Sequence, residues 1–238
     1  MHRFFISPSH LVGETVLLID ENASHGNVLR LRVGEEIVTT ISDGIDMICK
    51  VIVVDKQEIR AEVIHRTDNT AELPIKITLF QALPKGDKMT DIIESVVELG
   101  IHQIVPVETA RCVARSQNKG LRWQKVAEGA SKLSHRSYIP KISSICSLSD
   151  AIGQASKLDV TFACYEGEKD RHLSHFLQDK NPATMGFFIG PEGGFTDEEI
   201  NLFSQNGIPT TTLGGRILRS QSAASAVMAG INFWKNLP

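Results

Sequence analysis

What this chain lacks narrows its chemistry first. Its four cysteines, Cys49, Cys112, Cys146 and Cys164, are scattered and form no Cys-x-x-Cys pair. Its eight histidines form neither a His-x-x-x-His pair nor a mixed Cys/His cluster, so no metal site is expected. The expectation is free thiols in a reducing compartment, hence a cytoplasmic protein. No apolar run reaches the roughly 18 residues that a membrane-spanning helix needs. The apolar stretch Phe4-Phe5-Ile6 is too short for a secretory signal. Gly-x-Gly-x-x-Gly and Gly-Lys-Ser/Thr are both missing, which argues against a dinucleotide-binding turn and a P-loop. The Gly-x-Ser-x-Gly elbow is missing too, and Ser220 and Ser222 have no base nearby in sequence. A net charge of −3 excludes nucleic-acid binding by bulk charge alone.

What is present is enough for two modest domains: 238 residues, 42% hydrophobic and 22% charged. The charge is unevenly spread. Residues 1–73 carry 7 Lys/Arg and 12 Asp/Glu, whereas residues 74–238 carry 18 and 16. Arg111, Arg115, Lys119, Arg122, Lys125, Lys132, Arg136 and Lys141 crowd residues 111–141, with Glu128 as the one acid. Such a segment is either a phosphate-binding patch or a solvated helix face.

Residues 1–70 read as β structure. Short β-branched runs at Val16–Ile19, Glu36–Ile41, Asp46–Val54 and Ile59–Ile64 are separated by turn signals at Asp20-Glu21-Asn22, Val33-Gly34 and Ser42-Asp43-Gly44. A small barrel is expected, followed by a polar linker from His65 to Pro74. From residue 75 strands alternate with helices. Ile75–Ala82, Ile101–Val107, Leu158–Cys164, Thr184–Ile189 and Thr210–Leu213 read as strands. Helices are expected around Met89–Val96, stopped by Gly100; around Trp123, Val126, Ala130 and Leu133; after the capping box Thr196-Asp197-Glu198-Glu199; and from Ser222 to Trp234. This alternation predicts an α/β domain with a mostly parallel sheet and helices on both faces, spanning 74–238.

Two glycine-bearing segments each follow such a strand. They are Ile189-Gly190-Pro191-Glu192-Gly193-Gly194-Phe195 and Leu213-Gly214-Gly215-Arg216-Ile217-Leu218-Arg219. Ligands of parallel sheets sit beyond the C-terminal strand ends, and glycine lets a ligand approach the backbone closely. Apolar contacts from Ile189, Leu213, Ile217 and Leu218, with few charges, suit a flat adenosine better than a triphosphate. Glu192 offers an acceptor for a ribose hydroxyl or a ligand ammonium. Arg216 and Arg219 offer guanidinium groups for RNA phosphate or for an anionic base. The small residues Ala223, Ala224, Ala226, Ala229 and Gly230 suit either core packing or a subunit interface.

These two segments together resemble the RsmE-type ribosomal RNA methyltransferases of the SPOUT superfamily. The resemblance spans the chain. Met1-His2-Arg3-Phe4-Phe5 and Asn27–Gly34 are similar to the family's N-terminal PUA-like barrel, and Leu83-Pro84-Lys85-Gly86-Asp87-Lys88-Met89 and Glu98-Leu99-Gly100-Ile101 to the start of its methyltransferase domain. The resemblance implies a C-terminal trefoil knot and a homodimer. It implies S-adenosyl-L-methionine held by Ile189, Gly190, Pro191, Glu192, Gly193, Leu213, Gly214, Ile217, Leu218 and Arg219. The implied reaction is methyl transfer to N3 of one uridine in 16S ribosomal RNA, within the small ribosomal subunit. Arg219 is the candidate for stabilising the anionic uracil, and Arg3, Arg30, Arg32 and Arg136 for anchoring RNA. The chain departs from the family pattern at Ser220-Gln221-Ser222, where Thr-Glu-Thr is usual, at Glu94-Ser95 and at Lys132-Leu133. Those departures leave open a methyltransferase with another RNA target, or a non-catalytic RNA-binding or ribosome-assembly protein on the same scaffold.

Overall fold

A computed structural model describes residues 1–112, 120–177 and 181–235. They divide into two compact units, one of residues 1–72 with 131–139, the other of residues 73–130 with 140–238.

The first unit contains β1 (His2–Phe5), a 3-10 turn at Pro8–His10, β2 (Leu11–Val12), β3 (Thr15–Ile19), α1 (Asp20–Val28), β4 (Glu36–Thr40), β5 (Ile45–Val54) and β6 (Glu58–Asp68). The sheet runs β1-β4-β5-β6-β3-β2, parallel at β1–β4 and antiparallel elsewhere. Alternate residues point to one face. On β3 and β6 these are Val16, Leu18, Ile59 and Ala61, buried with Phe4, Ile37 and Cys49 as the core. Two register shifts between β5 and β6, at Ile48/Cys49 and Val51/Val53, curl the sheet into a half-barrel. The turn expected at Asp20-Glu21-Asn22 is instead the start of a helix. It buries only Ala23 and Gly26 and so shows no apolar stripe in sequence. Strand β6 also runs on to Asp68, through the first half of the expected linker.

The segment 131–139 belongs to this first unit. Arg136 is 2% exposed and its Nη2 donates to Glu72 at 2.7 Å. Gly44 N–H donates to Ser137 O at 3.1 Å.

The second unit contains β7 (Lys76–Ala82), α2 (Lys88–Glu98), β8 (Gln103–Glu108), α3 (Gly120–Leu133, up to residue 130), β9 (Lys141–Ile142), β10 (Cys146–Ser147) and α4 (Leu148–Ala155). It continues with β11 (Val160–Cys164), α5 (Ser174–Leu177), β12 (Thr184–Ile189), α6 (Asp197–Gln205), β13 (Thr210–Thr211) and α7 (Ser220–Trp234). All its strand pairs are parallel, in the order β10-β8-β7-β12-β11-β13, with β9 beside β8. The central strands are near-continuous apolar runs, as burial on both faces requires: Ile77, Leu79 and Phe80 on β7, and Phe187, Phe188 and Ile189 on β12. Gly100 (φ 90°) follows α2 as expected. Both arms of the Thr196–Glu199 capping box are made, and Gly207 (φ 69°) follows α6. On α3, Trp123, Ala127 and Ala130 are buried, whereas Leu133, expected on that apolar face, is 79% exposed.

Candidate functional site: a cavity closed by three strand ends

Register sets the site. Ala163 of β11 pairs with Phe188 of β12, and Cys164 pairs with Thr211 of β13. The C-terminal ends of these three parallel strands are therefore level, and the turns that leave them face one cavity of about 360 Å³. That volume lies in the range of small-molecule pockets, roughly 300–1,000 Å³.

The first turn contributes Ile189, Gly190, Pro191 and Gly194. Its shape is fixed from several sides. Gly194 adopts φ 68° and its N–H donates to Pro191 O at 2.9 Å. A Cβ on Gly190 would come within 3.3 Å of the Gly194 backbone. Arg111 Nη1 donates to Gly193 O at 2.5 Å and to Phe195 O at 3.3 Å. The second turn contributes Leu213, Gly214, Arg216, Ile217 and Leu218, with Gly214 at φ 104°. Ser220 ties the two together. Its hydroxyl donates to Gly190 O at 3.0 Å and accepts from the buried amide of Gln81 at 2.9 Å.

The third wall follows β11 and is missing from the two-loop expectation. Cys164, Tyr165, Glu166, Glu168, Lys169 and His172 line it. Burial pushes the Cys164 thiol well above its usual range, so it is a neutral wall group rather than a nucleophile. Glu168 accepts from Thr210 Oγ1 at 2.7 Å and from the N–H groups of Lys169, Asp170 and Arg171, which holds its carboxyl at about 2.

Three of the ten expected cofactor contacts lie outside the lining. Glu192 is engaged elsewhere: Lys88 Nζ donates to it at 2.5 Å and Lys85 N–H at 3.2 Å. Burial alone would raise its carboxyl, but these bonds hold it below the usual range. Gly193 packs against the Arg111 side chain. Arg219 is exposed as the residue preceding α7, and its carbonyl accepts from Ala223 N–H at 2.8 Å.

The arginines expected to anchor RNA fall into two classes. Arg30 and Arg32 are exposed, and Arg30 holds the left-handed φ of 57°. Arg3, with its side chain 7% exposed, pairs with Asp46 (Nη2 to Oδ2, 2.9 Å) and donates to Ser137 Oγ at 2.7 Å. Partial burial would raise the Asp46 carboxyl, but Arg3 and Ser137 outweigh it and bring it below its usual range. Arg136 is committed to Glu72 in the same way. Of the expected basic patch, Arg115 and Lys119 lie outside the described residues. Gln221, the departure at the start of α7, is also absent from the cavity wall; its amide donates to Asp91 on α2 at 2.6 Å. Among the described residues, no cluster of three or more His, Cys, Asp or Glu has the arrangement of a metal site.

The comparisons with known proteins agree with this geometry. The RNA methyltransferase domain family matches residues 71–232. The chain is similar to ribosomal RNA small subunit methyltransferase E of Bacillus subtilis, 30% identical across 100% of this chain and 98% of that one. It is equally similar, at 30% identity over 97% of this chain and 77% of the relative, to the protein of that name from Synechocystis. Its fold matches a solved ribosomal RNA small subunit methyltransferase E from Neisseria gonorrhoeae bound to S-adenosyl methionine. The TM-score is 0.86, at 31% identity, with 98% and 97% of the two chains covered. With its three-strand cavity and these relatives, the chain belongs to the RsmE family of RNA methyltransferases.

Proposed function

We propose that this protein transfers a methyl group from S-adenosyl methionine to N3 of one uridine in 16S ribosomal RNA, working in the cytoplasm as a homodimer. The observation that carries this reading is the cavity itself. Three level strand ends enclose a space with apolar walls at Ile189, Leu213 and Leu218, and with side-chain-free backbone at Gly190, Gly194 and Gly214. Those features suit adenosine. When bound, S-adenosyl methionine supplies a methyl already activated by its sulfonium. The chain must therefore position the base and stabilise the charge left when the uridine N3 proton departs. Arg219 suits the second task. Its guanidinium is exposed beside the N-terminus of α7, where unpaired N–H groups add positive potential for an anionic partner.

In this reading residues 1–70 form the RNA-binding barrel, with Arg30 and Arg32 on phosphate, while Arg3 and Arg136 hold the unit together. Residues 74–238, apart from the segment 131–139 that belongs to the first unit, form the methyltransferase domain, whose chain threads a trefoil knot around the three turns. The bond from Thr212 N–H to Arg171 O (2.9 Å) brings the second turn beside the third, where the knot is proposed. The exposed stripe of Ser222, Ala226, Ala229 and Phe233 on α7 supports a dimer built on that helix. Gln221 faces α2 rather than the cavity, so that departure does not by itself favour a non-catalytic reading.

The test is to map modified nucleotides in 16S ribosomal RNA from cells with and without the protein. One N3-methyluridine should vanish on deletion and return with the intact chain. Arg219→Ala should fail to restore it while still binding cofactor. An unchanged methylation map would refute the function, and full restoration by Arg219→Ala would refute the role of that residue.

A further inference from the structure

The third wall of the cavity carries two charges that the proposed reaction does not use. Glu166 and Lys169 both line the cavity and both are exposed at its rim. Among the described residues neither side chain takes part in a hydrogen bond or ion pair. The carboxylates of Glu168 and Glu192 are occupied: Glu168 by Thr210 and the backbone of its own turn, Glu192 by Lys88 and Lys85. The turn 165–171 is thus pinned through its central carboxylate, which leaves the flanking anion and cation free for a ligand. The Glu166 carboxylate also reaches the first loop, where a Cβ on Gly194 would collide with it.

S-adenosyl methionine has one end that matches such a pair. Its adenine is flat and suits the enclosed apolar wall, whereas its α-amino acid is zwitterionic and strongly hydrated, and so belongs at an exposed rim. We infer that Glu166 and Lys169 form the amino-acid end of the cavity, with Glu166 accepting from the cofactor's α-ammonium and Lys169 donating to its α-carboxylate. This assignment rests on the proposed cofactor and gives Glu166 the acceptor role that the sequence assigns to Glu192.

The test is calorimetric binding to the full-length protein of S-adenosyl methionine, S-adenosylhomocysteine and 5′-methylthioadenosine. The last shares the adenosine and lacks the amino-acid end. Glu166→Gln and Lys169→Gln should each weaken the first two ligands by about tenfold and leave the third within about twofold, the signature of a lost charge-assisted bond. Both residues are exposed, and matching melting curves will establish that the variants fold. Variants that bind all three ligands like the parent overturn the assignment, and so do variants that weaken all three alike. A parent protein that binds none of them overturns the cofactor reading and this inference together. A parent that binds, with unaffected variants, overturns this inference alone.

Discussion

Glu168 shows how a single side chain can hold a functional turn. The Thr210 hydroxyl, then the N–H groups of its own turn, lower its carboxyl from the ordinary 4.5 to about 2. A carboxyl lowered on folding contributes stability that is present above its unfolded value and is lost as pH falls through its folded value. Glu168→Gln should therefore lower the melting temperature at neutral pH, and the gap from the parent should close between pH 4.5 and about 2. Paired thermal melts across that range will read it. Gly194 is the second sensitive residue. Its left-handed φ of 68° makes Gly194→Ala cost about 1–2 kcal/mol, measurable by denaturant unfolding. The same change pushes against Glu166, so cofactor affinity should fall with it. The glycines of the first two turns are legible in sequence because glycine takes such backbone at the least cost. Glu166 and Lys169 are not, because Tyr165-Glu166-Gly167-Glu168-Lys169-Asp170 reads as any polar loop until strand register brings it level with the other two.

At the scale of elements, the seam between α2 and α7 accounts for two of the departures from the family pattern. Gln221 donates to Asp91, and one turn along on each helix the Ser225 hydroxyl donates to Ser95 at 3.2 Å. Restoring an acid with Gln221→Glu sets two carboxylates face to face. It should destabilise by about 0.5 kcal/mol, and Asp91→Asn should remove that cost in a double-mutant cycle. The elements that were legible are those whose burial follows a clear period, such as α2 and the strands of the parallel sheet. α1 has no apolar stripe, with Gly26 and Asn27 inside it, and its Asp20-Glu21-Asn22 start carries ordinary turn residues. α4 does carry a signal. Ser147 caps it by accepting from Asp150 N–H, and Leu148, Ala151, Ile152 and Ala155 are buried at helical spacing. A reading built on the glycine motifs passes over it because it bears none of them.

At the scale of the whole molecule, the cavity belongs to the second unit alone. Ligand binding and damage to the first unit should therefore be separable. Glu72→Ala removes the carboxylate bonded to the buried Arg136 guanidinium and should destabilise the first unit, read as a lower melting temperature. Cofactor affinity measured by calorimetry should stay unchanged. Conversely, S-adenosyl methionine at a hundred times its Kd should stabilise the second unit by about 2.7 kcal/mol and raise that unit's calorimetric transition. The two-unit division was legible from the change of period near residue 75. The return of residues 131–139 to the first unit was not, because it depends on Glu72 finding Arg136 across more than sixty intervening residues.

The order in which the cavity walls occur along the chain has a consequence for synthesis. They arise between Cys164 and Ala223, and the Ser220 hydroxyl that joins the first turn to the second comes almost last. A nascent polypeptide on the ribosome can complete its half-barrel and the first strands of its parallel sheet while still having no pocket to fill. Unfinished chains therefore cannot draw on the cell's pool of methyl donor, and the capacity to bind it marks a chain whose translation has passed the first turn of α7.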